Sequence, residues 1–170
     1  MVTEPLLPDP DAYYPGSEGH GHPGPASVLL PTAIRDAIVA HARAVAPEEA
    51  CGIVVGDQPA ADGGVPRRWV PLRNALASRA RYSIDPQDLL RLTIDTDDAD
   101  EVFWAIVHSH VASPARPSPT DVRESHYPDA LYVLVSLAES EADPATGAPA
   151  VRAWRILDGA AHEVEVAIDR

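Results

Sequence analysis

The chain has 170 residues, 13 basic and 26 acidic side chains and a formal net charge of −13, and every basic residue is arginine. That balance excludes a nonspecific nucleic-acid binder, which needs a basic surface to neutralise phosphates. No apolar run approaches the length of a membrane span, and the size suits one domain with a real core.

Cys51 is the single cysteine, which excludes an internal disulfide framework. It reads as a small buried residue at a strand start. The segment Met1-Val2-Thr3-Glu4-Pro5 lacks the basic and apolar regions of a signal peptide. The expected location is therefore cytoplasmic.

Residues 1–27 read as a disordered leader. Pro5, Pro8, Pro10, Pro15, Pro23 and Pro25 interrupt any helix, and Gly16, Gly19, Gly21 and Gly24 loosen the chain. His20-Gly21-His22 could chelate a metal weakly, but a solvated tail is the simpler reading. The folded domain is expected over 28–170, opening on the strand-like Ser27-Val28-Leu29-Leu30. A helix from about Pro31 to Ala46 follows, with Ile34, Ile38, Ala42 and Val45 at helical spacing. Cys51 to Val55 reads as a strand, Gly56-Asp57 as its turn and Ala60 to Pro66 as a loop. Trp69 to Leu72 and Tyr82-Ser83-Ile84 read as strand pieces.

Asp85 and Pro86 open a second helix as N-cap and first residue. Leu89, Leu90, Leu92 and Ile94 are expected to form its apolar face. The acidic run Asp95, Asp97, Asp98, Asp100 and Glu101 lacks the glycine and ligand spacing of a calcium loop and reads as a solvated turn. Val102 to Val107 is short, apolar and rich in β-branched and aromatic residues, as a buried strand should be. A short helix should start near Ser118, followed by a strand over Leu131 to Leu137 and an acidic loop over Ala138 to Pro149. Val151 to Leu157 and His162 to Ile168 can form a terminal hairpin. This order suggests a mixed sheet covered by helices.

The chemistry concentrates at the end of the Val102–Val107 strand. His108 and His110 lie two residues apart, so on an extended backbone both rings point to one side. Asp121, arriving from the next element, could complete a three-ligand site of the kind zinc favours, with its fourth position open. Upstream, Glu49 stands just before Cys51-Gly52 and could serve as an acid/base. Ser118 is placed to cap the helix that carries Asp121. Ser109 points away from the histidine pair and takes no catalytic role. His126 reads as an ordinary polar residue.

His-Ser-His, seven residues, Ser, two residues, Asp resembles the motif of the JAMM (MPN-plus) metallopeptidases. Glu49-Ala50-Cys51-Gly52 is similar to that family's separate glutamate element. The resemblance spans roughly residues 28 to 168 and is nearest to the actinobacterial CysO-cysteine peptidase type. It implies an α/β fold, a curved mixed sheet between helices in the three-layer arrangement of cytidine deaminases. A deaminase itself is disfavoured, since its Pro-Cys-x-x-Cys element cannot be built from one cysteine.

The resemblance also implies roles. His108, His110 and Asp121 would hold Zn2+, Glu49 would relay a proton, and Ser118 would donate to the oxyanion. The expected substrate is the amide after the diglycine tail of a small ubiquitin-like sulfur-carrier protein, with cysteine released. A homodimer is left open. Arg73, Arg79 and Arg81 could bind a substrate carboxylate or an acidic carrier surface. A zinc hydrolase of small amides is the main alternative. A noncatalytic MPN scaffold is the weaker one, since every motif position is filled. One departure is Val111, where many relatives carry a proline that would stiffen the loop after His110.

Overall fold

The computed structural model describes residues 23–169. The leader and its His20-Gly21-His22 pair lie, apart from residues 23–27, outside the described residues. Pairing starts one residue before the expected domain boundary. Ser27 opens β1 (Ser27–Leu30) and faces Glu165 in a parallel ladder.

Seven strands form one mixed sheet. They are β1, β2 (Cys51–Gly56), β3 (Pro66–Leu72), β4 (Val102–His110), β5 (Leu131–Ser136), β6 (Ala150–Leu157) and β7 (Ala160–Ile168). The spatial order is β1-β7-β6-β5-β4-β2-β3. The β4–β5 and β1–β7 pairs are parallel and the others antiparallel. The expected terminal hairpin is β6–β7, closed by Asp158 and Gly159, both at positive φ.

Helices cover both faces. On one, α1 (Thr32–Val45) buries Ile34, Ile38 and Ala42 against Val54, Val107 and Val133. On the other, α2 (Pro86–Asp98) and α3 (Pro119–Arg123) bring Leu92 and Val122 to Ile53, Ile106 and Leu134. The expected three-layer arrangement is thus present. The sheet is not flat. The β2–β4 register slips between Val54 and Val55, leaving Trp104 as the extra residue, and such a bulge bends and twists its strand. Trp104 and Ala105 therefore both join the α1-side core. Beyond the bulge, alternation resumes and sends Ile106, His108 and His110 to the α2/α3 face.

Four expectations are corrected. Tyr82-Ser83-Ile84 is not a strand, because only one bridge, Asn74 to Ile84, holds that segment to its neighbour. The Ala60–Pro66 loop contains a turn of 3-10 helix, Ala60–Asp62, and Pro66 already belongs to β3. On α2, Leu92 and Thr96 are buried, whereas Leu90 and Ile94 are 54% and 48% exposed. At about 100° per residue, Leu90 and Ile94 lie roughly 100–140° round the helix from Leu89, so the four apolar residues cannot share one face. Asp95 to Asp98 finish this helix rather than forming a turn, and Glu101 pairs with Arg67 and Arg68.

Candidate metal centre

The site lies at the carboxyl end of β4, where the strand runs from apolar residues into His108-Ser109-His110. Both imidazoles are buried, at 1% and 6% exposure. Asp121 reaches them from the first turn of α3. Its Oδ1 lies 3.5 Å from His108 Nε2 and its Oδ2 3.6 Å from His110 Nε2. These spacings are long for hydrogen bonds. They are close to the roughly 3.3 Å that separates neighbouring ligands when a tetrahedral ion makes bonds of about 2.0–2.1 Å. Ligand atoms of the three residues all lie within 4.8 Å of one another.

The surroundings fit a metal. His110 Nδ1 lies 2.7 Å from the Pro114 carbonyl oxygen. A carbonyl only accepts, so Nδ1 carries the proton and Nε2 keeps its lone pair for a ligand bond. Among the described residues neither ring nitrogen of His108 has a hydrogen-bond partner, although the ring is fully buried. Burying such a group unpaired is costly, and a cation at Nε2 would relieve the cost. Tyr82 stacks on the His108 ring at 4.3 Å between centroids and 20° between planes, which fixes its orientation.

Ser118 and Asp121 form a reciprocal capping box. The Ser118 hydroxyl accepts from the Asp121 N–H at 3.1 Å, and Asp121 Oδ2 accepts from the Ser118 N–H at 2.6 Å. The hydroxyl accepts through a lone pair, so its own proton remains available to donate. Capping and oxyanion donation are compatible roles.

Electrostatics separates the groups. Burial alone would raise the Asp121 carboxyl, but its contacts with His108 and His110 outweigh that and hold it well below the usual carboxylate range. Burial pushes His108 down, against the pull of Asp121. For His110 burial is outweighed by Asp121 and Pro114, and the net direction is upward. Glu49, only 5% exposed, is pushed up to about 7, chiefly by burial; nearby His110 opposes the rise and Asp121 adds to it. Glu49 thus sits in the field of the His/Asp cluster, with an affinity for protons suited to transfer near neutral pH.

The backbone around Glu49 is tied down on every side. Its N–H donates to the Ser78 carbonyl at 2.8 Å, and its carbonyl accepts from Asn74 Nδ2 at 3.1 Å. The next N–H, of Ala50, donates to Ser109 Oγ at 2.8 Å, and the Ala50 carbonyl accepts from the Ser109 N–H at 3.0 Å. Ser109 locks the Glu49 segment to the histidine strand. Asn74 does the same from the loop. Its Oδ1 accepts from Leu76 and Ser83, and its Nδ2 also donates to the Arg81 carbonyl.

Asn74, Tyr82 and Ser109 escaped sequence reasoning. Only the odd position of Ser109 in the motif, a polar residue aimed at the core, could have flagged it. Gly52 has a packing reason: a Cβ there would lie 2.4 Å from the Trp69 ring and from the Val70 carbonyl oxygen.

Val111 does not leave the following loop loose. Carbonyls of Ser113, Pro114 and Ala115 accept from Ser136 Oγ, His110 Nδ1 and Trp154 Nε1 respectively. Three side chains do what a proline ring would otherwise do through φ.

Comparison with known proteins agrees with this geometry. Residues 31–157 match the family model described as prokaryotic homologs of the JAB domain. The chain belongs to that family. It is 40% identical over 131 residues to the CysO-cysteine peptidase of Mycobacterium tuberculosis, covering 77% of this chain and 84% of that protein. It is 31% identical over 107 residues to the desampylase of Haloferax volcanii, covering 60% and 75%. A solution structure of a Desulfitobacterium hafniense protein superposes with a TM-score of 0.70 at 31% identity, covering 84% of this chain and 93% of the other. The family, its hydrolase relatives and the complete motif make this chain a JAMM-type hydrolase.

Proposed function

We propose that this chain is a zinc peptidase that hydrolyses the amide after the Gly-Gly tail of a small ubiquitin-like carrier, releasing a single amino acid, cysteine. The observation that carries the proposal is the convergence of His108, His110 and Asp121 beside a buried Glu49 whose backbone is fully anchored. The mycobacterial and haloarchaeal relatives, by name a CysO-cysteine peptidase and a desampylase, support the substrate class.

In this reading His108, His110 and Asp121 hold zinc. When bound, zinc polarises the scissile carbonyl and makes water acidic enough to attack near neutral pH. Glu49 would take a proton from the attacking water and return it to the leaving amine. Ser118 donates its hydroxyl proton toward the oxygen on which negative charge develops, where a fixed donor helps most. Asp121, held by the capping box, stays ionised throughout. The leader, residues 1–27, supplies none of these groups, and the reaction belongs in the cytoplasm.

The test is direct. A Gly-Gly-ended ubiquitin-like protein from the same genome, amide-linked to cysteine, is incubated with the zinc-loaded full chain and with a variant lacking residues 1–26. Mass spectrometry should show cysteine lost from the adduct with both proteins. An intact adduct, together with rapid hydrolysis of short free peptides, would replace this reading with that of a small-amide hydrolase.

A further inference from the structure

The loop from Asn74 to Ile84 touches the site at two points. Ser78 binds the Glu49 N–H through its carbonyl, and Tyr82 lies on the His108 ring. Residues 79–81 therefore span the short gap between the proton-relaying acid and a metal-ligating histidine. Arg79 follows Ser78 directly, at about 3.8 Å between their Cα atoms, and is exposed.

The loop's cations are not equivalent. Arg73 pairs with Asp85 at 2.9 Å and reaches Asp88 at 3.6 Å. Arg81 pairs with Glu124, at the end of the helix that carries Asp121. Among the described residues Arg79 has no acidic partner, on a chain with twice as many acidic as basic residues.

The chemistry of the leaving group gives this cation a ligand. If a single amino acid departs, its amine leaves next to Glu49, which protonates it. Its free carboxylate carbon is then only about 2.5 Å from that nitrogen, two covalent bonds away. A second negative charge enters beside Glu49 and Asp121 and needs a positive partner. An internal peptide bond would bring no such charge.

We propose that Arg79 is a specificity-determining residue that binds the free α-carboxylate of the departing amino acid, so that the site selects a carboxy-terminal single-residue adduct. This rests on the peptidase reading above and names its substrate class. Guanidinium presents a planar fork that matches a carboxylate in two parallel hydrogen bonds.

The experiment compares two adducts of the same Gly-Gly-ended carrier, one with cysteine and one with cysteinamide, cleaved by zinc-loaded wild type, Arg79→Ala and Arg79→Lys. Arg79→Ala should lower kcat/KM about thirtyfold on the cysteine adduct, as expected for loss of a charge-assisted pair, and by less than about twofold on the cysteinamide adduct. Arg79→Lys should recover part of the loss on cysteine alone, since it keeps the charge without the fork. Equal losses on both adducts would overturn the proposal in favour of a contact with the carrier's acidic surface or a purely structural role. No loss on either would overturn it outright. If wild type cleaves neither adduct, the peptidase reading fails first and takes this inference with it; an active wild type confines the failure to Arg79.

Discussion

Glu49 and Arg155 are both buried ionisable side chains, and the protein surrounds them differently. Glu49 precedes β2, on the face with His108 and His110, and every backbone polar group from its N–H to the Ala50 carbonyl is hydrogen-bonded. Arg155 lies on β6 at 1% exposure, and among the described residues none of its guanidinium nitrogens has a hydrogen-bond partner. Burial lowers its proton affinity, and the charges of Asp129 and Asp62 only partly oppose this. Gly24 packs so closely that a Cβ would lie 2.7 Å from Arg155 Nη2.

Both burials cost folding free energy, but only one lies beside reactive groups. The group of described residues that could hold a metal ion, His108, His110 and Asp121, is next to Glu49. A buried charge alone therefore does not mark a site. Its convergence with groups of complementary chemistry does.

The larger effect in this comparison belongs to Glu49. In the metal-free protein the folded state holds Glu49 as a neutral acid up to about pH 7, whereas the unfolded chain ionises it from 4.5. The folded state then binds more protons across that window, so stability falls as pH rises through it and the loss is complete above the folded value. At about 1.4 kcal/mol per unit the loss approaches ~3 kcal/mol. Metal-free Glu49→Gln has no such proton. It should melt above metal-free wild type at pH 8, with the gap closing towards pH 4.5. A gap independent of pH in thermal scans would show that burial does not raise this carboxyl.

Arg155 should give the smaller effect. Replacing a buried, unpaired cation by an apolar side chain of similar length is commonly neutral or stabilising. Arg155→Met should change stability by no more than about 1 kcal/mol in denaturant titrations, with any change favourable. A loss of several kcal/mol would mean that the charges of Asp62 and Asp129 hold the guanidinium firmly enough to outweigh its burial.

Much of this was legible in the chain. His108, His110, Ser118 and Asp121 lie within 14 consecutive residues on a strand and the helix after it, so local periodicity carries most of their placement. The strand cores and the α1 face follow from the same short-range patterns. What stayed hidden depends on distant pairing. Asn74 meets Glu49 across 25 positions and Ser109 meets Ala50 across 59. Tyr82 looked like a strand residue because it and Ile84 are β-formers, yet its place is set by the His108 ring. On α2 the apolar residues are plain in composition, but their angles round the helix do not coincide. Leu90 and Ile94 remain outside.

Zinc content and turnover, measured together on wild type, Asp121→Ala and Glu49→Gln, test the central claim most directly. Wild type should carry about one zinc per chain, as a single three-ligand site requires. Asp121→Ala should lose most of the metal and the activity with it. Glu49→Gln should keep the metal while hydrolysis of the cysteine adduct falls at least about a hundredfold, because an amide cannot accept the water proton. Full zinc in Asp121→Ala, or near wild-type turnover in Glu49→Gln, would contradict the account.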